Sequence, residues 1–171
     1  MQDAPLINEL IRSCGRHLRL LDLRSNSLQD SGISHIASQL SQYGENNTDQ
    51  NSISHISFQA NQLTQNGISF LAKCLIHNRT IRSINLSHNN LMNEGLFILR
   101  DALLNNRTIN EVMLRNCRLT DQAAIALAEF IAESTTIQYI DLRFESIWKI
   151  AQCLFLYLSE RTIFKQVEFV V

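Results

Sequence analysis

Apolar side chains return at fixed positions in four segments of this chain, residues 18–28, 53–63, 81–91 and 109–119. Each segment is apolar at its first, fourth, sixth and eleventh positions, and its ninth residue is asparagine or cysteine. In the first segment the alternation predicts a strand whose Leu21 and Leu23 point inward, while Leu20, Asp22 and Arg24 point outward. Each segment therefore predicts one short strand with a single buried side.

The ninth position sets the period of the chain. The intervals from Asn61 to Asn89, to Cys117 and to Glu145 are each 28 residues. A tight bend follows each strand, and a polar side chain at this position can satisfy backbone groups that have no partner in the sheet. The combined pattern, L-x-x-L-x-L-x-x-N/C-x-L, is the signature of a leucine-rich repeat.

The second half of each repeat predicts a helix. Residues 66–80, 93–108 and 121–136 place apolar side chains on one stripe at helical spacing. Four polar residues stand just before the helices as candidate N-caps: Asp30, Asn66, Asn93 and Asp121. A column of small residues would let each helix approach its strand: Gly32, Gly67, Gly95 and Ala123. We therefore expect an α/β leucine-rich repeat solenoid, a horseshoe segment similar to ribonuclease inhibitor, with parallel strands on the concave face and helices on the convex face.

The pattern makes residues 1–171 a single domain of about five and a half repeats, namely 1–17 (partial), 18–52, 53–80, 81–108, 109–136 and 137–163, with a terminal strand at 164–171. The first full repeat is seven residues longer, and the excess falls in a polar stretch, 41–52, that predicts a loop. Residues 3–14 predict a helix. Glu145 replaces the expected asparagine, and Phe164 follows Ile137 after 27 residues. Neither end shows a polar cap, so we expect part of a longer array.

Composition limits the classes of partner. The net charge of −1 gives no broad attraction to nucleic acid or to acidic membranes. We expect neither a secretory signal nor a membrane span, because the opening residues lack a basic start followed by an apolar run and the longest apolar stretch is too short for a bilayer. Four widely spaced cysteines predict reduced core thiols in a cytoplasmic or nuclear protein, and in that compartment the Asn-x-Ser/Thr sequons do not indicate glycosylation.

Enzyme chemistry has no candidate site in the sequence. The five histidines do not lie at ligand spacing from cysteines or carboxylates, so we expect no metal and no cofactor. The chain lacks a G-x-S-x-G motif and a glycine-rich phosphate loop. Cys117 occupies a buried structural position, where a thiol is inert. We therefore predict a non-enzymatic protein without a small-molecule substrate.

The outward strand positions predict a concave binding surface of three columns. The columns are Leu20, His55, Ser83, Glu111 and Tyr139; Asp22, Ser57, Asn85, Met113 and Asp141; and Arg24, Gln59, Ser87, Arg115 and Arg143. Aromatic and arginine side chains are enriched at interface anchors. The candidate partner-binding residues are therefore His55, Glu111, Met113, Arg115, Tyr139, Asp141 and Arg143. The alternative is a solvated strand face with neighbouring Asp and Arg side chains.

Three segments resemble a known family of repeats. "LRLLDLRSNSLQDSG" (18–32), "LSHNNLMNEG" (86–95) and "AEFIAESTTIQYIDLR" (128–143) are similar to repeats of the protein phosphatase 1 regulatory subunit 37 family. The resemblance implies a regulatory subunit that binds and inhibits the catalytic subunit of protein phosphatase 1. Members dock through a basic residue followed by Val-x-Phe, which Lys165, Val167 and Phe169 match here. The alternative reading of this match is the inward face of the last strand.

Two further functions stay open beside the phosphatase. Some proteins of this repeat class activate small GTPases, and Arg115 would be the candidate arginine for that role. The third is a structural fragment without activity of its own.

Overall fold

The computed structural model describes residues 4–14, 17–45, 53–143 and 168–170. Their helices are α1 (Ala4–Cys14), α2 (Gln29–Glu45), α3 (Gln65–His77), α4 (Met92–Asn105) and α5 (Asp121–Glu133). Their strands are β1 (Leu20–Asp22), β2 (His55–Ser57), β3 (Ser83–Asn85), β4 (Glu111–Met113), β5 (Tyr139–Asp141) and β6 (Glu168–Val170). The strands form one sheet in chain order, with every neighbouring pair parallel. The predicted α/β leucine-rich repeat architecture is confirmed.

The core lies between the sheet and the helices. The middle residue of each strand from β1 to β5 is apolar, buried and in register with the next: Leu21, Ile56, Ile84, Val112 and Ile140. Leu71, Leu99 and Leu127 face them from α3, α4 and α5 and are equally buried. Each fully buried side chain of this size stabilises the fold by about 1.5–3 kcal/mol. No helix in the described part of the chain is long and apolar enough to cross a membrane.

The predicted N-caps are wrong, because all four residues lie inside the first turn of their helices. Thr64 caps α3 instead, and its side chain accepts a hydrogen bond from the Asn66 N–H at 3.2 Å. Asp30 reaches the next repeat, where its carboxylate accepts from the backbone N–H of Thr64 at 2.9 Å and from its hydroxyl at 2.6 Å. Asn93 makes the equivalent link to Thr120. These polar residues therefore join repeats.

One member of the small-residue column, Gly67, serves a contact between helices. A Cβ on Gly67 would lie 3.2 Å from Asp30 Cγ and 3.3 Å from Ile33 Cγ2, both in the preceding helix α2. The sequence had placed this close approach between helix and strand. The correction follows from the helix packing, since α3 lies directly against α2 and starts beside its first turn.

Two other predictions are corrected in the first half of the chain. Helix α2 continues to Glu45, so the first part of the predicted 41–52 loop is helical, and the rest of that loop lies outside the described residues. Of residues 41–45, only Gly44 weakens a helix by as much as about 1 kcal/mol, so a polar composition does not end it. Cys14, the last residue of α1, is exposed, whereas Cys74 and Cys117 are buried as predicted. Cys153 lies outside the described residues.

The last strand has a different register from the predicted one. Phe169 lies opposite Ile140, where the repeat pattern had placed Val167. The interval between these core positions is therefore two residues longer than expected. Alternation cannot detect such a shift, because residues two apart point to the same side of a strand. Val167, Lys165 and Glu145 lie outside the described residues.

Candidate functional site

Strand pairing aligns the three outward columns as the sequence predicted. His55, Ser83, Glu111 and Tyr139 are consecutive partners in the first column, and Ser57, Asn85, Met113 and Asp141 are partners in the second. Backbone hydrogen bonds extend the alignment to the third column, where the carbonyls of Gln59, Ser87, Arg115 and Arg143 accept from the preceding repeat. The candidate residues of β4 and β5 are therefore side by side.

The asparagine ladder holds the rim of this face. Asn89 is 4 % exposed, and its Oδ1 accepts from the backbone N–H groups of Asn61 at 2.9 Å and Leu63 at 3.0 Å. Its Nδ2 donates to the carbonyls of Phe58 at 2.9 Å and Leu86 at 2.8 Å. Asn61 makes the same links to the repeat before it. The predicted structural role of this position is confirmed for both asparagines.

The turns that carry the ladder contain left-handed residues other than glycine. The residues on either side of the ladder position have positive φ angles in three turns: Ser25 57°, Ser27 48°, Ala60 53°, Gln62 60°, Asn116 50° and Arg118 62°. Such a conformation costs roughly 1–2 kcal/mol for an L-residue. In the first two of these turns, the hydrogen bonds that Asn61 and Asn89 accept from the backbone offset this cost.

A second ladder lies at the other end of the helices, and sequence reasoning missed it. Asn106 is 2 % exposed, and its Oδ1 accepts from the N–H groups of Thr108 and Ile109, each at 2.8 Å. Its Nδ2 donates to the carbonyls of Leu75 and Asn78 in the preceding repeat. Asn78 makes the corresponding bonds one repeat earlier. The signal was the sequence Asn-Arg-Thr at 28-residue spacing, which had been considered only as a sequon.

Asp141 is the centre of a cluster of four candidate residues. Although it is on the outward side of β5, its side chain is fully buried. Its carboxylate accepts from Arg115 Nε at 2.5 Å, from Arg143 Nε at 3.1 Å and Nη2 at 2.9 Å, and from the Tyr139 hydroxyl at 3.2 Å. The Arg143 backbone N–H adds another bond at 3.2 Å. Asp141 therefore orients its neighbours and is not itself available to a partner.

Electrostatics keeps this carboxylate ionised. Burial by itself would raise the pKa of Asp141, but the hydrogen bonds from the Arg143 side chain and backbone and from Arg115 outweigh burial and place the pKa below its usual value. The hydrogen bond to Asp141 also raises the pKa of Arg143. The cluster thus holds two guanidinium groups against one carboxylate near neutral pH.

The remaining candidate residues differ in how exposed they are and in how near they lie to the cluster. Tyr139, Glu111 and Met113 are half-buried, and His55 is exposed, with its Nδ1 2.9 Å from the Ser54 hydroxyl. Strand β3 separates His55 from β4, and it presents the small side chains Ser83 and Asn85. The structure brings the β4 and β5 residues together and leaves His55 apart from them.

The first strand provides a comparison for the cluster. Asp22 and Arg24 hold the same positions in β1 as Asp141 and Arg143 hold in β5. Arg24 Nη2 lies 2.8 Å from Asp22, but the two side chains are 57 % and 35 % exposed. The alternative of a solvated Asp–Arg pair therefore describes β1, and it is wrong for β5, where the carboxylate is buried and shared by two arginines.

The described residues contain no arrangement of side chains that is suited to catalysis or to metal binding. No group of three or more His, Cys, Asp or Glu side chains within them could hold a metal ion. An open groove of about 520 Å³ runs along the turns, lined by residues such as His88, Asn116 and Arg118. His88 Nδ1 and Asn116 Nδ2 are 3.2 Å apart there. Neither has a carboxylate or thiol partner among its hydrogen bonds, so the groove does not form an acid–base pair.

Comparison with known proteins supports the same architecture. A family model described as Leucine Rich repeat matches residues 16–37, 77–97 and 105–128. No curated protein sequence matches the chain. A solved structure described as leiomodin-1 actin-binding site 2 is 18% identical, with a TM-score of 0.72 over 91% of this chain and 87% of the other.

The C-terminal domain of a tropomodulin from Caenorhabditis elegans is also similar. It is 16% identical, with a TM-score of 0.68 over 94% of this chain and 96% of the other. Sequence identities this low carry the fold and not the activity. The matched repeats, the parallel sheet and the two similar structures agree, and the chain therefore has the leucine-rich repeat fold.

Proposed function

We propose that this chain is a non-enzymatic protein-interaction module whose partner binds the concave face over β4 and β5. The observation that carries the proposal is the Asp141 cluster. Burying a carboxylate is costly unless it is paired, and here its hydrogen bonds hold two arginine side chains that remain 36 % and 38 % exposed. A pre-ordered arginine pair on an open face loses little conformational entropy when a partner binds.

The composition of the same region supports an interface. Tyr139, Arg115 and Arg143 belong to the residue types that most often anchor protein interfaces, and Met113 adds an adaptable apolar surface between them. The half of the face formed by β2 and β3 offers Ser57, Ser83 and Ser87 instead, which are small and largely buried. Binding energy is therefore expected to concentrate on β4 and β5.

Two proteins are candidate partners. The sequence resemblance names the catalytic subunit of protein phosphatase 1, which the chain would inhibit as a regulatory subunit. The docking motif Lys165, Val167 and Phe169 would contribute to phosphatase binding. Only Phe169 of this motif is among the described residues, and it pairs with Ile140 as part of β6. Actin is the second candidate, because a solved structure of the same fold is described as an actin-binding site.

Activation of a small GTPase is a weaker alternative. It would need an arginine that can reach into another protein's active site. Arg115 is the candidate for that role, but its Nε is bound to the buried Asp141, which holds the side chain against the sheet. An arginine held in this way is suited to binding at the face itself.

A pull-down with matched variants tests the proposal. The immobilised chain is offered the phosphatase catalytic subunit, actin and a panel of small GTPases. The double variant Tyr139→Ala with Arg143→Ala should weaken the bound partner by more than ~2 kcal/mol. The control, Leu20→Ala with Arg24→Ala, removes the residues at the same two positions of β1 and should leave binding unchanged. Equal losses in the two double variants would contradict a site on β4 and β5.

A further inference from the structure

The arginines of the Asp141 cluster use only part of their hydrogen-bonding capacity. Arg115 donates from Nε to Asp141, and Arg143 donates from Nε and Nη2. A guanidinium group has five N–H donors. Within the described residues, no hydrogen bond is made by Arg115 Nη1, Arg115 Nη2 or Arg143 Nη1. The outer edges of both groups are therefore available on the concave face.

The charge of the cluster is also incompletely balanced. Two guanidinium groups meet one carboxylate, so one positive charge remains, and the lowered pKa of Asp141 keeps this balance near neutral pH. The β1 pair differs, because Arg24 and Asp22 balance each other one to one. The excess positive charge thus belongs to the Asp141 cluster itself, whereas the first column of β4 carries a separate carboxylate, that of Glu111.

We propose that the free edges of Arg115 and Arg143 bind an Asp or Glu carboxylate of the partner protein. This inference rests on the concave-face function proposed above and adds the chemistry of the partner. Planar guanidinium forks match a carboxylate in shape, and such bonds are about twice as strong as neutral ones. Asp141 holds both arginine side chains in place before a partner binds, because its carboxylate accepts hydrogen bonds from each of them. The single excess charge fits a carboxylate better than a phosphate dianion, which would be half neutralised.

The neighbouring strand leaves room for the approach. Ser87, beside Arg115 in the third column, is 1 % exposed, and its hydroxyl accepts from the Arg115 backbone N–H at 3.2 Å. Ser83 and Asn85 continue this low surface along β3. An extended segment lying over β3 with its carboxylate near Ser87 would therefore meet Arg115 at its side, at the opposite end of the strand from Ser83, whose β4 partner is Glu111.

Fluorescence anisotropy with two labelled peptides tests the proposal. At low ionic strength, the parent should bind hexaglutamate at least about tenfold more tightly than hexaglutamine. Arg143→Ala should weaken hexaglutamate binding about tenfold, whereas the matched variant Arg24→Ala should change it less than about twofold. Arg143→Lys keeps the charge and can keep one bond to Asp141 but loses the fork, and it should give an intermediate loss of hexaglutamate binding. Melting curves of each variant show whether a loss of binding reflects a loss of fold.

The outcomes separate this proposal from the proposed function. Equal weakening by Arg24→Ala and Arg143→Ala, or equal affinity for the two peptides, overturns carboxylate binding. If a captured partner then still depends on Tyr139, the concave-face function stands without it. If Arg143 controls hexaglutamate binding while neither the phosphatase nor actin is captured, the carboxylate site stands and both candidate partners are wrong.

Discussion

Replacing Asn89 by alanine tests how much one rung of the first ladder contributes to stability. The side chain is buried and bridges two repeats through both of its polar atoms. In the variant, the backbone N–H groups of Asn61 and Leu63 lose their acceptor, and three buried carbonyls lose a donor.

The expected loss follows from the number of orphaned groups. A buried N–H without an acceptor costs about 1–3 kcal/mol, and two such groups cost about 2–6 kcal/mol if no water enters. Partial hydration of the smaller side chain's space reduces this, and we expect a loss of about 3 kcal/mol. For a domain of this length that corresponds to a fall in melting temperature of roughly 6–12 °C.

Urea unfolding followed by circular dichroism measures the effect, with Asn26→Ala as the matched control. Asn26 holds the same repeat position in the first turn, but it is exposed, and the side-chain bond it donates goes to the Arg24 carbonyl in its own turn. The control should lose less than about 0.5 kcal/mol. Asn89→Cys should fall between the two, because Cys117 fills the next rung with a thiol that donates to the Leu86 carbonyl at 3.3 Å.

The reasoning fails if Asn89→Ala unfolds at the urea concentration of the parent, or if Asn26→Ala loses as much. The first result would mean that water replaces the amide at no cost. The second would mean that the alanine acts through the turn itself and not through the contact between repeats.

Two other predictions concern the second ladder and the buried carboxylate. Asn106→Ala should cost about 2–4 kcal/mol, since it orphans one buried and one partly buried N–H group, whereas Asn105→Ala at the exposed neighbour should change the melting temperature little. The pKa of Asp141 is lowered in the folded state, so its charge stabilises the fold above the unfolded value of about 3.9, and this stabilisation is lost as the pH falls through the folded pKa. The stability difference between the parent and Asp141→Asn, measured by melts from pH 7 to pH 2, should therefore shrink below about pH 4; a constant difference would contradict the assignment.

The strands, the helices and the first ladder could be predicted because their causes are local. Alternation sets which side of a strand is buried, and the 28-residue period repeats this information several times. The three outward columns followed from the same period, since equivalent residues of parallel strands become neighbours.

The links between repeats could not be predicted in the same way. Asp30 was interpreted as a cap of its own helix, but its acceptor atoms serve Thr64, 34 residues later. Asp141 was interpreted as an exposed partner contact, whereas Arg115 from the previous repeat helps to cover it. In each case the polar side chain could bond within its own repeat or to a neighbouring repeat, and the packing of the repeats decides which bond forms.

The first ladder gives the solenoid a direction. Each asparagine amide supplies the acceptor for the turn of the repeat before it, as Asn61 does for the N–H groups of Asn26 and Leu28. Removing a repeat from the amino-terminal side would leave a surplus amide, which would be exposed to solvent as Asn26 is. Removing one from the carboxyl-terminal side would take away the acceptor on which a left-handed turn depends. Amide exchange should accordingly spread backwards along the chain from a truncated carboxyl-terminal end, and much less forwards from a truncated amino-terminal one.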